Sequence, residues 1–198
     1  FDVDRQELIR LHPATDRAGV PSFSSDGRIA FTIGEDLWIT DAAGQELQKI
    51  ALGHYANLAP ISPDGRLAAC NDHDDRIWVV DLSSGKKKQL TVDESAYFRP
   101  VWSPDSAKLV VSTVAGGLKG IEIATGRIFD LDEGTSPGWA SDSKTLYYTR
   151  TERQDGVRVL NSGIYRINYD GTERAALAQE SSVMAMAGRV SPDGGRLS

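Results

Sequence analysis

The densest set of hard oxygen ligands in the sequence is the run Asn71-Asp72-His73-Asp74-Asp75. Carboxylates and carbonyls gathered in this way suit a divalent cation such as Ca²⁺, with Asp72, Asp74 and Asp75 as the ligands. The run lacks the alternating Asp-x-Asp-x-Asp-Gly loop with a distal Glu, so a solvated turn competes with the metal reading. Three histidines, His12, His54 and His73, raise the question of zinc or of acid–base chemistry. None stands at a local ligand spacing. Gly134-Thr135-Ser136-Pro137-Gly138 matches the G-x-S-x-G elbow of serine hydrolases, a device that works only between a strand and a helix. No helical pattern follows it, so no catalytic residue is assigned. The single Cys70 excludes an internal disulfide and reads as a small buried hydrophobe.

Five further aspartates, Asp26, Asp64, Asp105, Asp142 and Asp193, would look like an array of acids if each did not occupy the same place in a repeated phrase. Ser24-Ser25-Asp26-Gly27, Ser62-Pro63-Asp64-Gly65, Ser103-Pro104-Asp105-Ser106, Ser141-Asp142-Ser143 and Ser191-Pro192-Asp193-Gly194 recur every 37 to 51 residues. Three residues before each Asp stands a large apolar side chain: Phe23, Ile61, Trp102, Trp139 and Val190. Pro presets φ, Asp bonds the backbone two residues on, and Gly accepts positive φ. The phrase therefore predicts a tight hairpin turn after an inner strand, and its aspartates are structural. Ser106 and Ser143 replace the glycine, at a cost of about 1 kcal/mol if the geometry is kept.

The elements that carry these turns are short runs rich in β-branched and aromatic residues. Ile29 to Ile33, Leu67 to Cys70, Leu109 to Val114 and Leu146 to Thr149 form a second strand per repeat. A third strand, such as Leu37-Trp38-Ile39-Thr40-Asp41 or Ile77-Trp78-Val79-Val80-Asp81, ends at Gly44, Gly85, Gly126 or Gly171, which are 41, 41 and 45 residues apart. The fourth strand is polar, as in Lys88-Gln89-Leu90-Thr91.

A period near 40 built from strands and turns predicts an all-β fold, a β-propeller of four-stranded antiparallel blades. The expected blades are 20–52, 57–91, 98–131 and 136–178, with 7–11 as the outer strand of a preceding blade and 183–198 as the start of a fifth. This is an incomplete array of four whole blades and parts of two more. Cut blade edges are pairing templates, so self-association through them is expected.

In a four-stranded meander, the loops between strands two and three and those leading to the next blade emerge at one end. Scaffold loops carry binding residues more often than strands do. The candidates at this end are His54, Tyr55 and Asn57, then Tyr97, Phe98 and Arg99, and the insertion from Glu152 to Asn161 that a plain blade does not need. Tyr and Arg favour recognition. Packing of Tyr97 and Phe98 between blades is the competing reading.

The formal net charge of −6 argues against nucleic acid as a partner, since no basic face answers phosphate. Lys86-Lys87-Lys88 is the one basic run, at the start of an outer strand where charge blunts edge pairing. No apolar run is long enough to span a membrane. Ser62-Pro63-Asp64-Gly65-Arg66-Leu67 with Ile77-Trp78-Val79-Val80-Asp81-Leu82-Ser83-Ser84-Gly85, and Phe23 to Phe31 with Asp36-Leu37-Trp38-Ile39, resemble the repeat shared by TolB-like periplasmic proteins and by the propellers of tricorn-like and prolyl-oligopeptidase-type peptidases.

That resemblance implies a periplasmic or extracellular location and two classes of function. In the first, the chain is a non-catalytic scaffold that binds a protein or peptide on its loop end. In the second, it is the substrate gate of a serine peptidase whose catalytic domain lies elsewhere. No cofactor is implied, apart from the candidate Ca²⁺.

Overall fold

The computed structural model describes residues 18–154 and 158–180. The outer strand expected at 7–11, His12, Asp193 and the blade start expected at 183–198 lie outside the described residues. Every regular element among the described residues is a strand. The chain divides after Val92 into two compact units.

The first unit holds a four-stranded antiparallel sheet of β1 (Ser22–Phe23), β2 (Ile29–Ile33), β3 (Asp36–Thr40) and β4 (Glu46–Ala51), followed by a three-stranded sheet of β5 (Leu67–Asn71), β6 (Ile77–Asp81) and β7 (Lys87–Gln89). The innermost strand expected in this second blade is reduced to a single bridge, Ile61 to Ala68. Pro60 stands one place later than the other repeat prolines and has no N–H to give the ladder; its carbonyl still accepts from Ala69 N at 3.0 Å. Leu37, Ile39, Ala59, Ile61, Ala68, Cys70 and Val80 form one buried cluster. Burial pushes the Cys70 thiol up to about 12.

The second unit holds β8 (Tyr97–Trp102), β9 (Lys108–Thr113), β10 (Gly117–Glu122) and β11 (Ile128–Glu133), then β12 (Thr135–Trp139), β13 (Thr145–Gln154), β14 (Arg158–Asn168) and β15 (Ala175–Glu180). Both inner strands are bulged where proline enters, between Phe98 and Val101 and between Thr135 and Gly138. Arg99 and Ser136, each directly before its proline, take left-handed φ values of 53° and 54°. The segment expected as a loop at Glu152 to Asn161 instead extends the β13–β14 hairpin, with Glu152 opposite Asn161 and Gln154 opposite Arg158. The Asp-Gly pair at 155–156 is the sequence cue for such a hairpin.

The repeated turn is built as its residues dictate. Gly27 and Gly65 have φ of 83° and 73°, and Ser106 and Ser143 are held at 61° and 56° in the same left-handed place. In the second blade Asp64 accepts from Ser62 Oγ at 2.6 Å and from Arg66 N at 3.1 Å; Asp142 accepts from the backbone of Lys144 and Thr145, each at 2.8 Å. A further contact joins blades. Arg28 pairs with Asp26 and donates from Nη2 to the Gly65 carbonyl of the next blade's turn at 2.9 Å. Lys108 pairs with Asp105 and donates to the Ser143 carbonyl at 3.0 Å.

Candidate functional site

The loop end of the first unit is a pinned connection with free side chains. Val20 N donates to Asn57 O at 2.8 Å, Thr32 Oγ1 to Ala56 O at 2.6 Å, and Lys87 Nζ to Leu52 O at 2.6 Å. On this fixed backbone Tyr55 is 50% exposed and Asn57 is exposed. His54 is half-buried, its ring 5.9 Å from that of Trp78. Its Nδ1 lies 3.3 Å from Tyr55 O, while its buried Nε2 meets no hydrogen-bonding group among the described residues.

Beside this histidine lies the acidic run. Asp72 Oδ1 accepts from Asp74 N and Arg76 N at 3.0 and 2.9 Å, and its Oδ2 from Trp78 Nε1 at 2.7 Å. Burial would raise its pKa, but these donors and nearby His54 hold it below the usual carboxylate range. Asp75, at φ 56°, accepts from Asn71 Nδ2 at 2.9 Å. Asp74 is exposed and lies 3.5 Å from His73 Nε2. The three carboxylates thus have separate neighbours. Among the described residues no group of three or more His, Cys, Asp or Glu is gathered to hold a metal ion.

In the second unit, the candidates divide. Tyr97 is fully buried, and its hydroxyl donates to Asp93 Oδ2 at 2.6 Å. Burial and that carboxylate push its pKa up to about 12. Its ring is therefore packing that anchors the loop, not a surface for a partner, because alternation on the bulged β8 turns it inward. Phe98 is half-buried and Arg99 exposed, which leaves Arg99 as the accessible member of the three.

Sequence reasoning missed a cluster further along this unit. Asp132, almost buried, accepts from the Tyr148 hydroxyl and lies 3.4 Å from Arg150 Nη1 and 3.2 Å from Arg174 Nη1. Burial would raise its pKa; Tyr148, the Glu133 amide and the arginines lower it. These residues are 42 positions apart at most, with no common motif to betray them.

The geometry of antiparallel blades can be set beside known structures. A structure described as TolB from Agrobacterium tumefaciens superposes with a TM-score of 0.67 at 19% identity, over 93% of this chain and 69% of that one. The tricorn protease gives 0.73 at 14% identity, over 89% of this chain and 18% of that one. The fold is that of the TolB-like and tricorn-like propellers. An oligogalacturonate lyase in complex with manganese also matches, with a TM-score of 0.69 at 14% identity over 88% of this chain and 56% of that one. No family model matches the sequence, and no curated protein does.

Within a propeller, the Gly134 to Gly138 run falls at the entry to an inner strand. Ser136 stands at the β12 bulge and Trp139 donates from Nε1 to Val101 O at 3.1 Å, joining two blades. No helix is there to complete a nucleophile elbow. No helix among the described residues is long and apolar enough to cross a membrane.

Proposed function

We infer that this chain is a non-catalytic binding module that takes a protein or peptide partner on the loop end of its blades. The observation that carries this reading is the first unit's connection, whose backbone is pinned by Val20, Thr32 and Lys87 while Tyr55 and Asn57 face solvent. A rigid support with free aromatic and polar side chains loses little entropy on binding. His54 borders this surface in the first unit; in the second unit the half-buried Phe98 and the exposed Arg99 are candidates of their own. An extracytoplasmic location goes with the reading. So does self-association through blade edges, where Phe23 on β1 is 73% exposed.

The test is a selection from a displayed random-peptide library against the chain, followed by binding of the selected peptides to variants. Tyr55→Ala with His54→Ala, or Arg99→Ala, should weaken binding at least about tenfold, or ~1.4 kcal/mol, with the unfolding midpoint unchanged. Peptides that bind all variants equally well would remove the loop end from the function.

The likeness to the tricorn protease favours a second reading, in which the propeller gates a peptidase. The mass and C-terminal sequence of the protein from its own cell separate the two. A continuation bearing a true strand-elbow-helix Gly-x-Ser-x-Gly would make this chain a gate.

A further inference from the structure

At the opposite end of the blades, where the repeated turns lie, the first unit has a cleft of about 330 Å³ lined by Arg28, Gln48, Gly65, Arg66, Asp81 and Leu82, among others. Its floor is closed by Gln48 Nε2, which donates to Leu82 O at 2.5 Å. One wall is the Arg28 guanidinium, whose Nε and Nη2 are committed to Asp26 and Gly65 while Nη1 is not. The other wall is Arg66, which is exposed and, among the described residues, meets no hydrogen-bond or ion-pair partner through its side chain. Asp81 Oδ1 collects the amides and hydroxyls of Ser83 and Ser84, which leaves Oδ2 without a partner among the described residues.

The equivalent positions in the second unit are filled. Leu82 N donates to Arg66 O as Tyr169 N donates to Lys144 O, and Gln48 faces Ile39 as Phe129 faces Gly120. Tyr169 and Phe129 therefore stand where the first unit has Leu82 and Gln48. Their rings meet edge to face at 5.0 Å, and Trp139 lies 5.1 Å from Tyr169. The same framework thus packs aromatic rings in one unit and keeps an open, charged cleft in the other.

We propose that this cleft is a binding site for a carboxylate flanked by an N–H donor, the chemistry shared by a peptide C-terminus and a free amino acid. Arg66, with Arg28 Nη1, receives the carboxylate, since a guanidinium fork matches two oxygens. Asp81 Oδ2 accepts from the neighbouring N–H and discourages a doubly charged anion such as phosphate. The volume is at the lower end of small-ligand sites. A protein of net charge −6 repels anions at long range, so binding is weak; salt screens that repulsion as well as the local guanidinium–carboxylate attraction.

The experiment is an NMR titration of the ¹⁵N-labelled full chain with N-acetylglycine, glycine and N-acetylglycinamide, following the Arg28 Nε–Hε signal and the Ser83 and Ser84 amides. N-acetylglycine or glycine should give saturable shifts at millimolar concentration. The tighter of the two tells a peptide end from a free amino acid, and N-acetylglycinamide should give no saturable shift. Arg66→Ala should weaken binding at least about tenfold with no change in melting temperature, because among the described residues its exposed side chain has no polar partner to lose. Gln48→Phe, which reproduces Phe129, should abolish binding by filling the cleft. The absence of saturable shifts, equal binding of N-acetylglycinamide, or an affinity unchanged in Arg66→Ala would each overturn the proposal.

Discussion

The two units solve the same packing problem in opposite ways. In the first, volume is placed on the third strand: Ile39 is buried, and the neighbouring outer strand and turn contribute only Gln48 and Leu82. In the second, Gly120 occupies the place of Ile39, and the space goes to Phe129 and Tyr169; a Cβ on Gly120 would lie 2.6 Å from Phe129 Cζ and 2.8 Å from Tyr169 Cε2. Both units keep the cation that ties one turn to the next. The clamp fixes blade spacing, while the residues beneath it decide whether the junction is a core or a cleft.

The comparison breaks most readily at Tyr169. Its ring is buried, touches Phe129 and Trp139, and lies 5.7 Å from the Lys108 ammonium. Tyr169→Ala should cost about 3 kcal/mol or more, in the range for deletion of a buried aromatic. Leu82→Ala, at the matching place beside an open cleft, should cost about 2 kcal/mol, at the low end for leucine. Denaturant unfolding of the two variants measures both, and equal losses would mean that the aromatic junction has no special weight. Gly120→Ala comes next. The added methyl must displace the partly buried Phe129 ring and the buried Tyr169 ring, so overpacking should cost about 2 kcal/mol.

How much of this was legible follows from which contacts are local. The Ser-x-Asp turn could be read from one repeat, because Asp64 bonds Ser62 and Arg66 within a few residues. The left-handed serines at 106 and 143 followed from the glycines they replace. The clamp could not be read: Arg28 reaches Gly65 across 37 positions, and nothing in either repeat names the other. Tyr97 shows the limit at the candidate site, since the same residue type serves recognition or core according to strand alternation, and the bulge at Phe98 to Val101 resets that alternation. The end of the hairpin at Glu152 was missed for another reason. A polar segment suits a loop and a solvated hairpin alike, and only the Asp-Gly pair at 155–156 favours the hairpin.

The clamps themselves sharpen the comparison at a smaller scale. Arg28→Ala and Lys108→Ala should each cost about 1 kcal/mol, because the pairs are a quarter exposed on the cation side and screening reduces the value of a charged hydrogen bond. The two sites should part on exchange of the cation. Arg28→Lys loses the fork that holds Asp26 and Gly65 together, whereas Lys108→Arg keeps both acceptors in reach. Thermal unfolding of the four variants reads this, and the pattern fails if Arg28→Lys is as stable as the parent.

The smallest effect, and the one most specific to the clamp, is its dependence on pH. The Arg28 guanidinium, with the Ser24 hydroxyl, holds the Asp26 carboxyl far below its ordinary range. Burial acts against Asp105, but Lys108, Ser103 and the Ala107 amide still lower it by a smaller amount. A carboxyl with a depressed folded pKa adds stability above its unfolded value of about 4, and that stability is lost as pH falls through the folded pKa. The stability difference between parent and Asp105→Asn should therefore shrink soon below about pH 4, while that between parent and Asp26→Asn should persist toward about pH 2. If both differences vanish together, the arginine and lysine clamps are electrostatically equivalent, and the contrast between the units lies only in what is packed beneath them.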